Sequence, residues 1–548
     1  MYTVFTTFVG IAAAAKQRPM LCIPPNQNRS YLPEGLELTY GAVEARVLDL
    51  MARYARARYG HGHRALLLLE NRPEYLIHFL ALNALGVSIV PVNPDYRLDE
   101  ILYQAEKTRA DVMVGVPNRL DELRQVAQRI GKFCPVIDGT TDGPIDAPSA
   151  APPRTDLPVA ESEAGILFTS GSTGRPKGCV VSNLYMVNCA RWYASTGGIA
   201  SFRYGQSRHI NPLPLYHMGG LCMAMMSMLV TAGCSIILER FQPSRFLEDA
   251  IATRATSMHY LGVVPAMLLT QEPSSADRGH TIEFAIGAGA NAALIERFEA
   301  RFGIRCVEGW AMTETGRAIW NSEEPRHLGR SVVGRPMHGF EARVEREPNQ
   351  VAGPGELGEL CVRWGGAEGA RWGFFDGYFG EEAATEEAWR GGWFHSGDLV
   401  TQEPNGAIEF VDRKKNVIRR SGENIAAAEI ELGILAHPDV EQVAAIAVPD
   451  DLRQEEVYVC VQMHVGADRD RRQAETLFEW ANCRMAYYKT PGWILFVDTL
   501  PITGSQKIAK TRIFGADVDP RSLPGVFDLR ALKRRKQSTS KVSRLQVR

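Results

Sequence analysis

The chain has 548 residues, of which 45% are hydrophobic and 23% charged, and its formal net charge is -2. This length exceeds what one hydrophobic core supports, so two or more domains are expected. The composition is that of an ordinary globular protein, and the nearly balanced charge excludes a global field that would attract nucleic acid or an anionic membrane.

Predicted elements alternate between strands and helices in the first part of the chain. Apolar strands are predicted at 65–70, 87–92 and 111–116, with helices near 73–85 and 98–107 between them. The same alternation returns between about 205 and 310. It predicts parallel sheets covered by helices on both faces, so the fold class is α/β.

Composition indicates where the domains meet. Residues 139–158 are rich in Pro, Gly and Asp, which is typical of a loop. Short strands and glycine-rich turns from about 340 to 411 predict an antiparallel β unit, and a smaller α/β pattern follows. The boundary is placed near Arg413 to Lys415. The predicted organisation is a large N-terminal domain of residues 1–413, a small C-terminal domain of residues 414–520 and a basic tail of residues 521–548.

The two ends of the chain and its cysteines bear on location. The apolar first residues lack a preceding positive charge and a clear cleavage site, which favours an amphipathic helix over a signal peptide. No membrane span is expected. Ten cysteines form no CxxC pair, so reduced thiols and a cytoplasmic location are expected. The last twenty residues carry eight Lys or Arg and no acid, which is more typical of a disordered tail than of a nucleic-acid or membrane arm.

One loop carries a clear chemical signal. In ILFTSGSTGRPKG, residues 166–178, an apolar strand is followed by glycines that let backbone N–H groups point into one concavity, where an anion can sit. Hydroxyl side chains and Lys177 add donors and charge, so polyphosphate binding is predicted. The loop does not fit G-x-x-x-x-G-K-[ST], and CVVS after it predicts a second strand instead of a helix N-terminus.

This stretch closely resembles the phosphate loop of the adenylate-forming superfamily, which contains acyl-CoA synthetases, peptide-synthetase adenylation domains and luciferases. Similar motifs follow in the same order, namely LPLYHMGG (213–220), GAGAN (287–291), EGWAMTETG (308–316), GWFHSGDLV (392–400), DRKKNVIRRSGENI (412–425) and LPITGSQKI (500–508). The resemblance implies an ATP-dependent carboxylic acid-CoA ligase with a large N-terminal and a small mobile C-terminal α/β domain. In such an enzyme a carboxylate and ATP give acyl-AMP and pyrophosphate, and coenzyme A then gives acyl-CoA and AMP.

The resemblance assigns roles around the nucleotide residue by residue. The β- and γ-phosphates would be held by Thr169, Ser170, Gly171, Ser172, Thr173, Gly174 and Lys177. Thr313 would contact the α-phosphate, and Glu314 would hold Mg²⁺, a hard cation that prefers oxygen ligands. The adenine and ribose would be contacted by Gly289, Ala290, Glu308, Gly309, Trp310, Asp398 and Arg413, with Trp310 stacked on the base and Asp398 accepting the ribose hydroxyls.

Residues of the C-terminal domain are assigned to both half-reactions. Lys507 resembles the mobile lysine that bridges the carboxylate and the α-phosphate in the first step. Lys415 takes the hinge position, where backbone dihedrals change between steps. Ser421 and Gly422 resemble the loop that lines the coenzyme A tunnel in the second step.

The acyl pocket is expected near the LPLYHMGG motif. His217 resembles a gate between the coenzyme A tunnel and the pocket, whose candidate wall residues are Met218, Ala288 and Met312. The helix after His217 is rich in Met, which suits an irregular apolar acid and ordinary core packing equally. Fatty, aryl, alicyclic and carnitine- or betaine-like acids all stay open, as does assembly as a homodimer.

Some features depart from the superfamily pattern, and other functions are compatible with parts of the chain. Gln506 stands where glycine usually precedes the lysine, Ala311 replaces a glycine, and GAGAN replaces a GGAPL-like run. Residues 287–292 also fit G-x-G-x-x-A, and Glu308 stands where a dinucleotide fold places its ribose-binding acid. An NAD-dependent oxidoreductase, a ligase that loads a carrier protein and a non-catalytic nucleotide sensor are therefore the alternatives.

Overall fold

The computed structural model describes residues 2–29, 31–96, 98–169, 176–290, 292–337, 339–413, 417–420, 423–450, 453–485, 487–503, 507–515 and 518–533. The chain divides into two compact units. The first comprises Met1–Glu356, Leu360–Ser396 and Thr401–Glu409, and the second Leu357–Glu359, Gly397–Val400 and Phe410–Arg548. The long segment of the second unit thus begins close to the predicted boundary.

Helices of the first unit cover two sheets. They are α1 (Val4–Ala15), α2 (Tyr40–Arg56), α3 (Pro73–Ala84), α4 (Leu98–Thr108), α5 (Leu120–Arg129), α6 (Asn183–Ala194), α7 (Met226–Val230), α8 (Pro243–Ala252), α9 (Val263–Leu269), α10 (Ala276–Gly279), α11 (Ala292–Phe302) and α12 (Glu382–Ala388). The predicted first helix is confirmed as α1, which the Thr3 side chain caps by accepting a hydrogen bond from Thr6 N. Its Val4, Phe8 and Ala12 lie one turn apart and are buried.

The first fourteen strands alternate with these helices. They are β1 (Pro19–Ile23), β2 (Leu36–Thr39), β3 (Arg64–Leu68), β4 (Ser88–Pro91), β5 (Val112–Gly115), β6 (Val136–Asp138), β7 (Glu163–Thr169), β8 (Lys177–Ser182), β9 (Arg208–Asn211), β10 (Cys234–Ile237), β11 (Ser257–Leu261), β12 (Phe284–Ala288), β13 (Arg305–Ala311) and β14 (Ala318–Trp320). Strands β3, β4 and β5 and helices α3 and α4 confirm the predicted alternation. The side chains of these three strands are almost wholly buried, as parallel strands covered on both faces require.

Two of the sheets are mainly parallel. One has the strand order β14-β13-β12-β11-β9-β10-β1-β2, parallel from β13 to β1 and antiparallel at both edges. The other has the order β19-β8-β7-β4-β3-β5-β6, where β19 is Gly377–Tyr378. Strand β8 pairs antiparallel with both β7 and β19, so the edge of this sheet carries the phosphate-loop hairpin beside residues 377–378.

A third sheet confirms the predicted β unit. Its order is β15-β21-β20-β18-β16-β17, formed by β15 (Val332–Gly334), β16 (Phe340–Glu347), β17 (Gln350–Val351), β18 (Gly358–Trp364), β20 (Phe394–Gln402) and β21 (Ile408–Arg413). The β15–β21 and β16–β17 pairs are antiparallel.

The second unit has its own sheet and core. Strands β22 (Val417–Arg420), β23 (Glu423–Ala426), β24 (Val440–Asp450), β25 (Gln454–Met463), β26 (Trp493–Val497) and β27 (Val526–Asp528) are joined with helices α13 (Ala427–Leu435) and α14 (Arg471–Arg484). The predicted tail disorder is wrong for residues 521–533, because β27 pairs with β26 and Leu529 is fully buried in the core. The described part of the chain holds no helix that is both long and apolar enough for a membrane span.

Candidate active site

The two strands predicted on either side of the phosphate loop are both present. Strands β7 and β8 pair up to Thr169 and Lys177, and the Thr169 hydroxyl donates to the Lys177 carbonyl at 3.5 Å. The Tyr103 hydroxyl donates to the Pro176 carbonyl at 3.1 Å, which attaches the hairpin to α4. The predicted phosphate residues Ser170, Gly171, Ser172, Thr173 and Gly174 lie outside the described residues.

Lys177 is held in a cluster of charged side chains at the base of the loop. Its Nζ atom lies 4.7 Å from the centroid of the Tyr378 ring and 3.9 Å from Glu381 Oε2. The other Glu381 oxygen accepts a hydrogen bond from Lys107 Nζ at 2.5 Å. Two lysines therefore share one carboxylate, and these three side chains together carry a net positive charge that suits polyphosphate. Sequence reasoning missed Lys107, Glu381 and Tyr378.

Thr313 and Glu314 are fixed by neighbouring tyrosines and backbone. The Tyr185 hydroxyl donates to the Thr313 carbonyl at 2.6 Å, and Phe375 N donates to the Glu314 carbonyl at 3.0 Å. Tyr378 Oη donates to Glu314 Oε1 at 2.9 Å, and Glu314 is only 6% exposed. Burial, followed by the charge of Glu314, raises the pKa of Tyr378, so its phenol remains a neutral donor.

Tyr378 thus joins motifs that are remote in sequence. Its ring lies against Lys177 and its hydroxyl holds Glu314. The structure brings the predicted phosphate lysine and the predicted Mg²⁺ carboxylate to the same tyrosine. A buried carboxylate beside a predicted phosphate lysine fits Mg²⁺, which binds through one or two carboxylates together with substrate phosphates.

The predicted adenine wall is organised by Glu308. Its Oε1 accepts a hydrogen bond from Ala290 N at 3.1 Å and its Oε2 accepts one from the Tyr260 hydroxyl at 2.7 Å. Gly289 has a positive φ of 76°, which glycine adopts without strain. A Cβ at Gly262 would lie 1.8 Å from the Gly289 carbonyl oxygen, so glycine is required there. The backbone of residues 289–290 is therefore held in place, although the GAGAN segment departs from the superfamily pattern.

Trp310 lies at the edge of the first sheet. It stands opposite Ile319 in the antiparallel β13–β14 pair and is 5% exposed. A Cβ at Gly309 would lie 2.1 Å from the Trp320 ring, so glycine lets the two strands approach. Trp310 is consequently well packed, and its role in stacking on adenine stays a prediction.

His217 lies in a buried, apolar setting. Its Nε2 atom is buried and has no hydrogen-bond partner among the described residues. Burial lowers the pKa of His217 to about 4, so the imidazole is neutral at pH 7. The ring centroids of Tyr216 and His217 are 4.3 Å apart. A neutral, unpartnered imidazole can act as an uncharged wall or gate.

The helix after His217 is mostly core. Residues Gly219–Met225 form a π-helical segment, a rare form often found at functional sites, that continues into α7. Met223, Met225, Met226 and Met228 are at most 3% exposed. Core packing therefore accounts for these methionines. Met218 is different, because its Sδ atom lies 4.0 Å from Cys189 Sγ on the neighbouring α6.

An arginine that sequence reasoning missed lies close to this region. Arg317 is 1% exposed, and its guanidinium lies among the rings of Trp192, Trp364, Trp372 and Phe374 at 4.6–5.7 Å. Burial lowers the pKa of Arg317 to about 10, which leaves it charged at pH 7. Burial raises the pKa of the Cys189 thiol to about 12, and the charge of Arg317 acts in the opposite direction.

The remaining predicted residues belong mainly to the second unit. Asp398 is 2% exposed on β20. Lys507 is exposed; its amide donates to Thr503 Oγ1 at 3.2 Å, and Thr503 N donates to the Lys507 carbonyl at 2.7 Å. Arg413 ends β21. The hinge and tunnel predictions at Lys415, Ser421 and Gly422 lie outside the described residues, as does Gln506.

Comparison with known families excludes one of the alternatives. The family of AMP-binding enzymes matches residues 15–378, and the C-terminal domain of AMP-binding enzymes matches residues 429–507. The chain belongs to the AMP-binding enzyme family. Although β12, α11 and β13 do form a parallel strand-helix-strand unit, the NAD-dependent oxidoreductase alternative is discarded.

Curated relatives of this AMP-binding enzyme are CoA ligases. A feruloyl-CoA synthase from Amycolatopsis sp is 32% identical over 87% of this chain and 94% of the relative. A crotonobetaine/carnitine-CoA ligase from Salmonella arizonae is 28% identical over 82% of this chain and 88% of the relative. The protein is accordingly an AMP-forming acid-thiol ligase, as predicted.

Solved structures share the fold. ATP-bound MatB from Rhodopseudomonas palustris matches with a TM-score of 0.78 at 24% identity, covering 93% of this chain and 98% of that one. A benzoate CoA ligase from Burkholderia xenovorans LB400 matches with a TM-score of 0.77 at 20% identity, covering 93% and 99%. The predicted fold of a large α/β domain and a smaller C-terminal domain is confirmed.

Proposed function

We propose that this AMP-binding enzyme joins an aryl carboxylic acid to coenzyme A through an acyl-AMP intermediate, with ATP and Mg²⁺. The observation that carries the proposal is the tyrosine-centred arrangement of Lys177, Tyr378 and Glu314 at the base of the phosphate loop. It supports a site where a polyphosphate and a hard cation bind side by side.

The first half-reaction gathers negative charge at the α-phosphate, so cations and donors must be fixed around it. Thr169 and residues 170–174 would bind the β- and γ-phosphates with Lys177, and Thr313 would contact the α-phosphate. Glu314 would hold Mg²⁺, which would offset phosphate charge when bound. Lys507 would add the second cation, since its exposed position in the second unit leaves its side chain accessible.

Other predicted residues would fix the nucleoside and the thiol. Gly289, Ala290, Glu308, Gly309 and Trp310 would form the adenine wall, and Asp398 and Arg413 would bind the ribose. In the second half-reaction Lys415 would act as the hinge and Ser421 and Gly422 would line the coenzyme A tunnel. His217, neutral at pH 7, would separate the tunnel from the acyl pocket without attracting the carboxylate of the substrate acid.

The choice of an aryl acid rests on the surroundings of Met218. Met218 contacts Cys189, and the charge of Arg317 acts to lower the pKa of the Cys189 thiol. A permanently cationic acid in this pocket would be repelled by Arg317, and the aromatic rings that could hold a quaternary ammonium group surround that arginine instead. This favours an aryl acid without a cationic group, bordered by Met218, Ala288 and Met312, over a carnitine-like acid. The feruloyl-CoA synthase relative is in agreement with this preference.

A panel of acids tests the substrate class. We expect pyrophosphate release and acyl-CoA formation with ferulate and related aryl acids, and at least about ten-fold lower kcat/KM, equivalent to about 1.4 kcal/mol, with crotonobetaine. A preference for crotonobetaine would contradict the aryl assignment. Transfer to a carrier protein in place of coenzyme A would contradict the acceptor, and no turnover with any acid would favour a non-catalytic nucleotide sensor.

A lysine variant tests the reaction path. Lys507→Ala is expected to lower acyl-AMP formation by roughly 100- to 1,000-fold, because the charge it stabilises develops only in that step. Thioester formation from pre-made acyl-AMP should be nearly unchanged. Lys510→Ala is the matched control, since Lys510 lies in the same segment but forms an ion pair with Glu431 at 2.8 Å. Equal loss in both half-reactions would contradict the assigned role of Lys507.

Location and assembly also belong to the proposal. All ten cysteines are free thiols, and nine of them are buried. This supports the expected cytoplasmic location, because the cytoplasm keeps thiols reduced. A homodimer would be tested by light scattering during gel filtration.

A further inference from the structure

Three side chains with metal-ligating atoms converge on the third sheet, and none of the three is assigned to the nucleotide. Glu345 lies on β16, Cys361 on β18 and His395 on β20, and these strands are adjacent in the sheet. One ligand atom from each residue lies within 4.8 Å of the other two.

The distances suit a small tetrahedral ion. Ligand atoms bound to one zinc at about 2.0–2.3 Å lie roughly 3.3–3.8 Å apart. Cys361 Sγ and His395 Nδ1 are already 3.3 Å apart. Glu345 therefore has to approach by no more than about 1–1.5 Å for all three to share one ion, and carboxylate rotamers provide such a movement.

The cluster is shielded from water, and its carboxylate already has one cationic partner. Cys361 is fully buried and Glu345 is 5% exposed. Glu345 Oε1 is buried, and it is the atom that forms the ion pair with Arg343. Arg343 and Arg363 both lie against the Trp393 ring, at 4.3 and 4.2 Å, and this stacking fixes the Arg343 partner of Glu345.

We propose that Glu345, Cys361 and His395 form a zinc site. A thiolate and an imidazole are soft and borderline ligands that select zinc over Mg²⁺ or Ca²⁺, and the carboxylate completes a three-residue set. Water would take the fourth position. The ion would tie β16, β18 and β20 together. His395 lies three residues before Asp398 on the same strand, so the ion would stiffen the backbone that carries the predicted ribose ligand.

Metal analysis of the full chain tests this site without relying on ligase activity. The untagged protein is equilibrated with zinc, desalted and analysed by mass spectrometry of the element. We expect one zinc per chain. Exchange with Co²⁺ should give visible bands of tetrahedral cobalt and a near-ultraviolet sulfur-to-cobalt charge-transfer band. Zinc at the buffer background, or a cobalt spectrum without the sulfur band, would overturn the proposal.

Variants assign the ligands. Cys361→Ser should abolish the sulfur-to-cobalt band, and Glu345→Gln and His395→Gln should each lower zinc retention. Cys134→Ser is the matched control, because Cys134 is also buried but donates to the Ala110 carbonyl. Equal zinc retention in the Cys361 and Cys134 variants would overturn the site. Should Cys361→Ser fail to fold, the wild-type cobalt spectrum still decides whether a thiolate binds the ion.

Discussion

Each unit contains a buried carboxylate, and the two are held in different ways. Glu314 in the first unit accepts a hydrogen bond from the neutral phenol of Tyr378 at 2.9 Å. Glu456 in the second unit is fully buried and receives Arg420 Nε at 2.8 Å and Lys533 Nζ at 2.6 Å. A phenol holds a carboxylate without cancelling its charge, whereas two cations more than offset it. The side chains that bind each carboxylate therefore distinguish the two. Glu314 keeps a charge that can take a ligand cation, whereas Glu456 stabilises the fold.

The Glu456 cluster is a structural centre of the second unit. Lys533 also donates to the Thr490 and Tyr488 carbonyls at 2.7 and 3.3 Å. Burial lowers the pKa of Lys533 to about 8, against the opposing effect of Glu456. All these groups depend on one another, because removal of one charge leaves the others buried without compensation.

The largest expected effect follows removal of the Glu456 charge. Glu456→Gln should destabilise the second unit by about 3–5 kcal/mol, because Arg420 and Lys533 remain buried without their anion. Urea unfolding followed by the fluorescence of the unit measures this loss. Glu479→Gln, at an exposed position of α14, should stay within about 0.5 kcal/mol of wild type. Similar stability of both variants would show that Glu456 is not structural.

The corresponding change at Glu314 should affect activity instead. Glu314→Gln is expected to slow acyl-AMP formation by roughly 100- to 1,000-fold, about 2.7–4 kcal/mol, with little change in melting temperature. The amide keeps the size of the side chain but is a poor Mg²⁺ ligand. Pyrophosphate exchange measures the rate, and Glu386→Gln, in an exposed ion pair with Arg371, serves as control. A lower melting temperature of Glu314→Gln with an unchanged rate of acyl-AMP formation would contradict the role given to Glu314.

A smaller effect is expected at the phenol itself. Tyr378→Phe removes a hydrogen bond to a charged group and should lower kcat/KM for acyl-AMP formation about ten-fold, or about 1.4 kcal/mol. Tyr103→Phe removes a hydrogen bond to the neutral Pro176 carbonyl and should cost less than about 1 kcal/mol. Steady-state kinetics of the two variants compares them, and a larger loss for Tyr103→Phe would contradict the role given to Tyr378.

The smallest expected effect is the pH dependence of stability that arises from the buried, neutral His78. His78 Nε2 lies 3.0 Å from the Gly139 carbonyl, which can only accept, so Nδ1 accepts from the Tyr54 hydroxyl at 2.8 Å. Burial lowers the pKa of His78 to about 4 from the ordinary 6.5. The unfolded chain therefore binds the extra proton first, and stability that is complete above pH 6.5 is lost as the pH falls toward 4.

This linkage predicts a measurable slope. Lowering the pH from 6.5 to 5.5 should cost about 1 kcal/mol for His78 alone. Unfolding free energies at both pH values measure it. His78→Gln should remove that part of the pH dependence, whereas His464→Gln, at an exposed position, should preserve it. An unchanged slope in the His78 variant would refute the assignment.

Motifs carried by contiguous residues could be predicted from the sequence, and contacts between remote residues could not. The β7–β8 hairpin and the 313–314 segment lie within short motifs, so their chemistry was visible. Tyr378 and Glu381 reach Lys177 only because β19 pairs with β8, a register that no local pattern encodes. The same limit applies to Lys533, whose basic neighbours in sequence conceal its pairing with Glu456.

The Glu456 cluster also has a consequence for synthesis of the chain. Lys533 follows Glu456 by 77 residues. A ribosome that adds about 5–20 residues per second makes the carboxylate roughly 4–15 s before the second of its two cations. During this interval the nascent sheet of β22 and β25 holds a carboxylate with one of its two cations missing. The second unit is therefore expected to reach its final stability only after translation has passed Lys533, while the first unit can fold on the ribosome.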